Sequence, residues 1–121
     1  MTRFVDAEFA CPCRRPDCDA PAGPHRLMRL YLDRMREMYG EAIYITSGNR
    51  CAAHNADVGG EPDSEHLFPE GCVGCDIAAA NSHERFRLID AARQAGITRI
   101  GVYRDAHLHV GVGEAVDAER W

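Results

Sequence analysis

Lysine is missing from this chain: all fourteen basic residues among its 121 are arginines. That excludes a Schiff-base lysine and a phosphate-cradling P-loop lysine. Clustered positive charge is missing too. Nineteen acidic residues leave a net charge of −5, and the one adjacent basic pair is Arg14-Arg15. A binder of phosphate backbones needs a basic surface, so no nucleic-acid partner is expected. No apolar run approaches the ~18 residues of a membrane helix, so no span is expected. No apolar h-region accompanies Met1-Thr2-Arg3-Phe4-Val5-Asp6; no secretory signal is visible, and synthesis in the cytoplasm is expected. Internal repeats and low-complexity tracts are absent as well.

What is present suits one small domain over residues 1–121, expected to be a monomer. Hydrophobic residues make up 45% of the chain, enough for an ordinary core. Pro12, Pro16, Pro21, Pro24 and Gly23 make residues 9–24 an irregular arm. A helix is expected next, with Pro24 in its first turn and Gly40 as its stop. Leu27, Tyr31, Met35 and Met38, with Leu30 beside them, recur at helical spacing and read as its core face. Residues 42–46 read as a strand, 47–69 as a polar irregular segment of the kind that carries function, and 71–77 as a second strand continued by 78–80. A helix over 82–95 turns Phe86, Ile89 and Ala92 inward and ends at Gly96. Residues 100–103 and 107–112 form a hairpin about an Arg104-Asp105-Ala106 turn. The order implies an α+β domain, a small and largely antiparallel sheet with two main helices.

Three side chains stand out for chemistry: His66, Asp76 and His109. Each can ligate zinc, and two histidines with one carboxylate are a common catalytic set that leaves a position for water. On the last strand, His107 and His109 project to one face while Leu108, Val110 and Val112 point to the other. One imidazole can bind metal, and the other stands ~7 Å away along the strand, within reach of a substrate oxygen.

Six cysteines are many for this length: Cys11, Cys13, Cys18, Cys51, Cys72 and Cys75. Without a secretory signal, a disulfide framework is not the default reading. Cys72-x-x-Cys75 leads into a strand rather than a helix, which argues against thioredoxin-like chemistry. Cys11, Cys13 and Cys18 with Cys51 read as reduced thiols or staples pinning the arm, with a four-thiolate structural metal site as the alternative. His25, His54 and His83 read as surface or local hydrogen-bonding residues, with His54 close to the cleft.

The chain resembles the zinc D-Ala-D-Ala carboxypeptidase family, in particular its short phage and prophage branch; the hedgehog signalling domain shares that metal-site fold. The resemblance runs in order through Glu8-Phe9-Ala10-Cys11-Pro12-Cys13, Thr46-Ser47-Gly48-Asn49-Arg50-Cys51, His54-Asn55, Val58-Gly59-Gly60, Ser64-Glu65-His66-Leu67, Cys75-Asp76-Ile77 and His107-Leu108-His109-Val110. It implies a zinc peptidase acting on peptidoglycan stem or cross-bridge peptides at the bacterial cell wall. His66, Asp76 and His109 would hold the metal. Arg50 would anchor a substrate carboxylate or carbonyl, its alternative being an internal ion pair. Ser64 would bond the metal surroundings or the substrate, or close a local turn. His107 would stabilise charge on the substrate oxygen.

Departures from the family pattern are visible. Nine residues separate His66 from Asp76, more than in the family's shorter form. Asn49 stands where an aromatic is common, beside Arg50, which would alter that subsite. Ala106 stands where several relatives carry a carboxylate, and Gly111 replaces an aspartate often found after the last ligand. Asp105 is then the candidate proton acceptor, with turn formation as its other reading. The missing carboxylates also favour a second function, a non-catalytic zinc domain that recognises a wall fragment or a protein partner. A third is a structural virion or prophage protein whose cysteines hold the only metal.

Overall fold

The computed structural model describes residues 4–103 and 105–119. The first long helix, α1, spans Arg26–Tyr39. Its start is set by His25, whose backbone N–H donates to the Cys72 carbonyl (3.1 Å) and whose Nδ1 accepts from Leu27 N (3.1 Å). Pro24 therefore lies before the helix, not in its first turn. Gly40, with φ +79°, ends it as expected. The buried face is rotated from the expected one. Met28, Leu32, Met35 and Tyr39 are buried, Leu27 and Tyr31 flank them, and Leu30 and Met38 are exposed.

Strand β1 is short, Ile45–Ser47. The polar segment after it is not structureless: Ala52–Asp57 form helix α2, capped by Cys51, and Glu65–Leu67 form a single 3-10 turn capped by Ser64. Strand β2 is Gly74–Ala78. It starts later than expected because Gly71 (φ +112°) turns the chain close against the backbone of Gly23, Pro24 and His25. The surplus chain before it, around Phe68, packs its ring edge-on against His25 with centroids 5.6 Å apart. Helix α3 spans Ser82–Gln94, capped by Asn81 Oδ1 accepting from Glu84 N (2.9 Å). Its inward residues are Leu88, Ala91 and Ala92; Phe86, expected inside, is exposed. With these residues α3 packs against α1.

Strands β3 (Arg99–Val102) and β4 (His107–Gly111) complete an antiparallel sheet of order β1-β2-β4-β3. Arg104, expected in the turn between them, lies outside the described residues. A last helix, α4 (Gly113–Glu119), was not anticipated; it seats Val116 in the core. Cys75, Ile77, Leu108 and Val110 join the helices in that core. Alternation then turns Asp76, His107 and His109 to the opposite face of the sheet. Among the described residues no helix is long and apolar enough to cross a membrane.

Candidate metal centre

Sheet register brings the first two side chains together. Asp76 on β2 lies directly opposite His109 on β4, and Ala78 lies opposite His107. The third comes from the 3-10 turn, held by two bonds against the segment that follows β1. His66 O accepts from Arg50 N (3.0 Å), and His66 Nδ1 donates to Gly48 O (2.6 Å). Gly48 is needed here, because a Cβ would stand 2.6 Å from Phe9 Cα.

His66, Asp76 and His109 each offer an atom within 4.8 Å of the others. His109 Nδ1 lies 3.1 Å and His66 Nε2 lies 3.6 Å from Asp76 Oδ1. Tetrahedral zinc, with ligands at 2.0–2.1 Å, keeps donor atoms roughly 3.3 Å apart, so the spacing fits. The ring orientations fit as well. With His66 Nδ1–H bound to the Gly48 carbonyl, Nε2 keeps its lone pair for a cation. His109 Nε2 faces Glu65 Oε1 at 2.8 Å, which leaves Nδ1 for the same cation.

Glu65 is the residue that sequence reasoning missed. Its side chain is only 8% exposed, although it opens the short 3-10 turn. Besides His109, it accepts from Gly113 N (2.9 Å), and Arg99 Nε lies 3.7 Å away. Glycines make its room: a Cβ would stand 2.1 Å from Glu65 Oε1 at Gly111 and 2.7 Å from Oε2 at Gly113. The space opened by the glycine at 111 is thus filled by a carboxylate from another segment. Three close-packed glycines, Gly74, Gly111 and Gly113, were the available sequence signal.

Electrostatics ties these groups together. Burial works against charge on Asp76 and Glu65, but hydrogen bonds from His109, with His66 on Asp76 and Gly113 N–H on Glu65, hold both below the usual carboxylate range. Burial opposes charge on His109 too, yet Asp76 and Glu65 push it up to about 9.

The other expected residues divide. Arg50 lines the cleft beside the centre; its Nη2 lies 3.5 Å from Asp76 Oδ2, Nη1 donates to Asn55 Oδ1 (3.2 Å), and Nε is buried without a partner. The internal ion pair is there, while the donor left over, Nε, is enclosed rather than open to the cleft. His107 Nδ1 is likewise buried and unpartnered. Ser64 Oγ accepts from His66 N (3.2 Å), closing the local turn, while the residue also lines the cleft. Asp105 is exposed and its Oδ1 accepts from His107 N (3.2 Å), which is the turn-forming role. Asn49 does not shape a subsite: it is fully buried, donating to the carbonyls of Pro21 and Gly23 (both 2.9 Å) and accepting from Cys72 N (2.7 Å). Cys72 and Cys75 are free and buried in the core. His25 is buried as a helix cap, and His54 N donates to Cys51 Sγ (3.4 Å).

The cleft has a volume of about 700 Å³ and is lined by groups of both charges, Glu61, Asp63 and Glu65 with Arg50 and Arg99, and by Tyr103. Such a lining suits an extended polar ligand with a free carboxylate or peptide carbonyls. A family model described as Peptidase M15 matches residues 2–111. No curated protein matches the chain significantly.

Proposed function

The chain belongs to the Peptidase M15 family, which is of the zinc D-Ala-D-Ala carboxypeptidase type, and from that premise we propose that it is a zinc metallopeptidase hydrolysing peptidoglycan stem or cross-bridge peptides. The observation that carries this reading is the convergence of His66, Asp76 and His109, with a ring nitrogen of each histidine left facing the aspartate. When bound there, zinc supplies Lewis acidity: it polarises a scissile carbonyl and lowers the pKa of water toward ~7.

The chain's own groups do the rest. Glu65 fixes the ring of His109, and the Gly48 carbonyl fixes that of His66. Arg50, whose side chain lines the cleft, would turn its guanidinium to a substrate carboxylate or carbonyl there. His107, on the same strand face as His109, supports negative charge developing on the substrate oxygen. Glu65 is a positioning residue here rather than a proton acceptor, since both its oxygens are engaged.

A second reading is favoured by one observation: Ala106 offers no carboxylate, and Asp105 is engaged with the backbone. In that case the domain binds zinc and a wall fragment or partner without turnover. The deciding experiment incubates zinc-loaded and zinc-free protein with a panel of muropeptides ending in D-Ala-D-Ala or carrying cross-bridges. The peptidase reading expects cleavage only in the loaded form, lost with zinc in His66→Ala and His109→Ala. Equal cleavage without zinc refutes the mechanism, and a full complement of zinc with no cleavage selects the second reading.

A further inference from the structure

A second cluster of donors lies away from the cleft. Cys11, Cys13 and Cys18 of the arm meet Cys51, the cap of α2, and all four sulfurs lie within 4.8 Å of one another. Cys51 Sγ is 3.9 Å from Cys11 Sγ and 3.7 Å from Cys13 Sγ. A disulfide would need ~2.05 Å. Four thiolates around zinc at 2.3 Å form a tetrahedron with edges of about 3.8 Å. The two separations from Cys51 thus match the edge of a zinc–thiolate tetrahedron, and the others fall within 4.8 Å.

The backbone is folded to suit anionic sulfur. Three N–H groups point at three of the sulfurs: Cys51 N at Cys11 Sγ (3.5 Å), Arg15 N at Cys13 Sγ (3.5 Å) and His54 N at Cys51 Sγ (3.4 Å). Donors of this kind favour the thiolate over the thiol. The close Cys-x-Cys spacing is accommodated by a knuckle. Arg14 adopts φ +60°, the sole non-glycine residue with positive φ among those described. That conformation is disfavoured for a side chain bearing Cβ, and it persists only where its surroundings enforce it. The Cys18 N–H then returns to Arg15 O (3.1 Å), bringing the last sulfur back. Arg15 is also paired to Asp57 at the far end of α2.

We propose that Cys11, Cys13, Cys18 and Cys51 form a closed, structural four-thiolate zinc site, separate from the His/Asp centre. Its place in the chain gives it a task. Cys51 follows Arg50 directly, and Asn49 N donates to Phe9 O (2.8 Å) just ahead of Cys11. The site crosslinks the arm to the segment that carries Arg50 and supports His66. It does not depend on whether the His/Asp centre is catalytic.

The test uses the full chain and metal ions alone. Wild-type protein, purified under reducing conditions and freed of loose metal, should hold two zinc ions by elemental analysis, and His66→Ala/His109→Ala should hold one. Loaded with Co2+ instead, that double variant should show the intense thiolate-to-cobalt charge transfer and tetrahedral d–d bands of a four-sulfur site. Cys18→Ser should weaken those bands and shift them, as one sulfur is replaced. Should that variant fail to fold, alkylation of the His66→Ala/His109→Ala protein decides: zinc should protect four thiols that a chelator exposes. One zinc in the wild type and none in the double histidine variant overturns the proposal. So does a cobalt spectrum without sulfur charge transfer, or an intact mass showing disulfides among these four cysteines.

Discussion

Gly111→Ala pushes a methyl group into space that the Glu65 carboxylate occupies. The added carbon would lie 2.1 Å from Glu65 Oε1 and 2.6 Å from its Cδ, so the carboxylate must swing away. The displaced group is the end of a flexible side chain, and the sheet itself need not move. What is lost is the pair of bonds to His109 Nε2 (2.8 Å) and Gly113 N (2.9 Å). Loss of such an outer partner weakens metal binding by ~10–100-fold, or about 1.4–2.7 kcal/mol. Zinc affinity at the His/Asp centre should fall by that factor in Gly111→Ala, and equally in Glu65→Ala. The double variant is decisive. Once Glu65 is cut back the methyl has room, so the two changes together should exceed Glu65→Ala alone by no more than ~0.5 kcal/mol. Competition titration against a chromophoric chelator reads all four proteins, with His66→Ala/His109→Ala marking what the cysteine cluster contributes. Additive losses, or an unchanged affinity in Gly111→Ala, would refute the reasoning.

Replacing the fully buried Asn49 with alanine removes three hydrogen bonds, one buried and two part-buried, and strands the backbone groups they satisfied. With ~1–3 kcal/mol per unsatisfied group partly relieved by relaxation, about 3 kcal/mol and roughly 10 °C in Tm should be lost by calorimetry; a shift under a few degrees contradicts the role. Burial pushes the Cys72 thiol up to about 12 and Cys75 well above the ordinary 9.0. The unfolded chain therefore releases these protons first, and stability, complete below about pH 9, falls above it by ~1.4 kcal/mol per pH unit for each thiol. Urea titrations above pH 9 should find the slope shallower by that amount in Cys75→Ala, and an identical slope would count against the burial argument. His107→Ala should lower kcat by ~100-fold at unchanged zinc content; loss of zinc instead would make His107 a support of the metal rather than of the substrate oxygen.

The last strand was the most legible part of the fold. Its period-two pattern assigned Leu108 and Val110 to the core and His107 and His109 to the other face, and both assignments hold. Helix α1 was legible in extent but not in orientation. Leu30 and Met38 are as apolar as Leu32 and Met35, and only packing against α3 and the sheet decides between the two stripes. Helix α2 was hidden because Ala-Ala-His-Asn-Ala-Asp is too short and polar to show a period, and its cap is a cysteine. Within the site, His66, Asp76 and His109 could be singled out because few residue types offer donor atoms to a metal, and the fold does bring the three together. Glu65 was not, because its role depends on room left by distant glycines, and nothing in its own neighbourhood reports that.

The chain that leaves His66 and comes back to Asp76 is fastened at its base: Leu67 N donates to Ser64 O (3.0 Å) and Val73 N to Glu65 O (3.0 Å). Its extra length protrudes at Pro69 and Glu70, which are exposed. Number of residues along the polymer and separation of the ligands in space are thereby uncoupled. Doubling that excursion would cost only ~0.6 kcal/mol in closure entropy while leaving the ligand geometry alone. The tip is thus a natural graft point, where recombination or design can add a recognition segment without disturbing the centre beneath it.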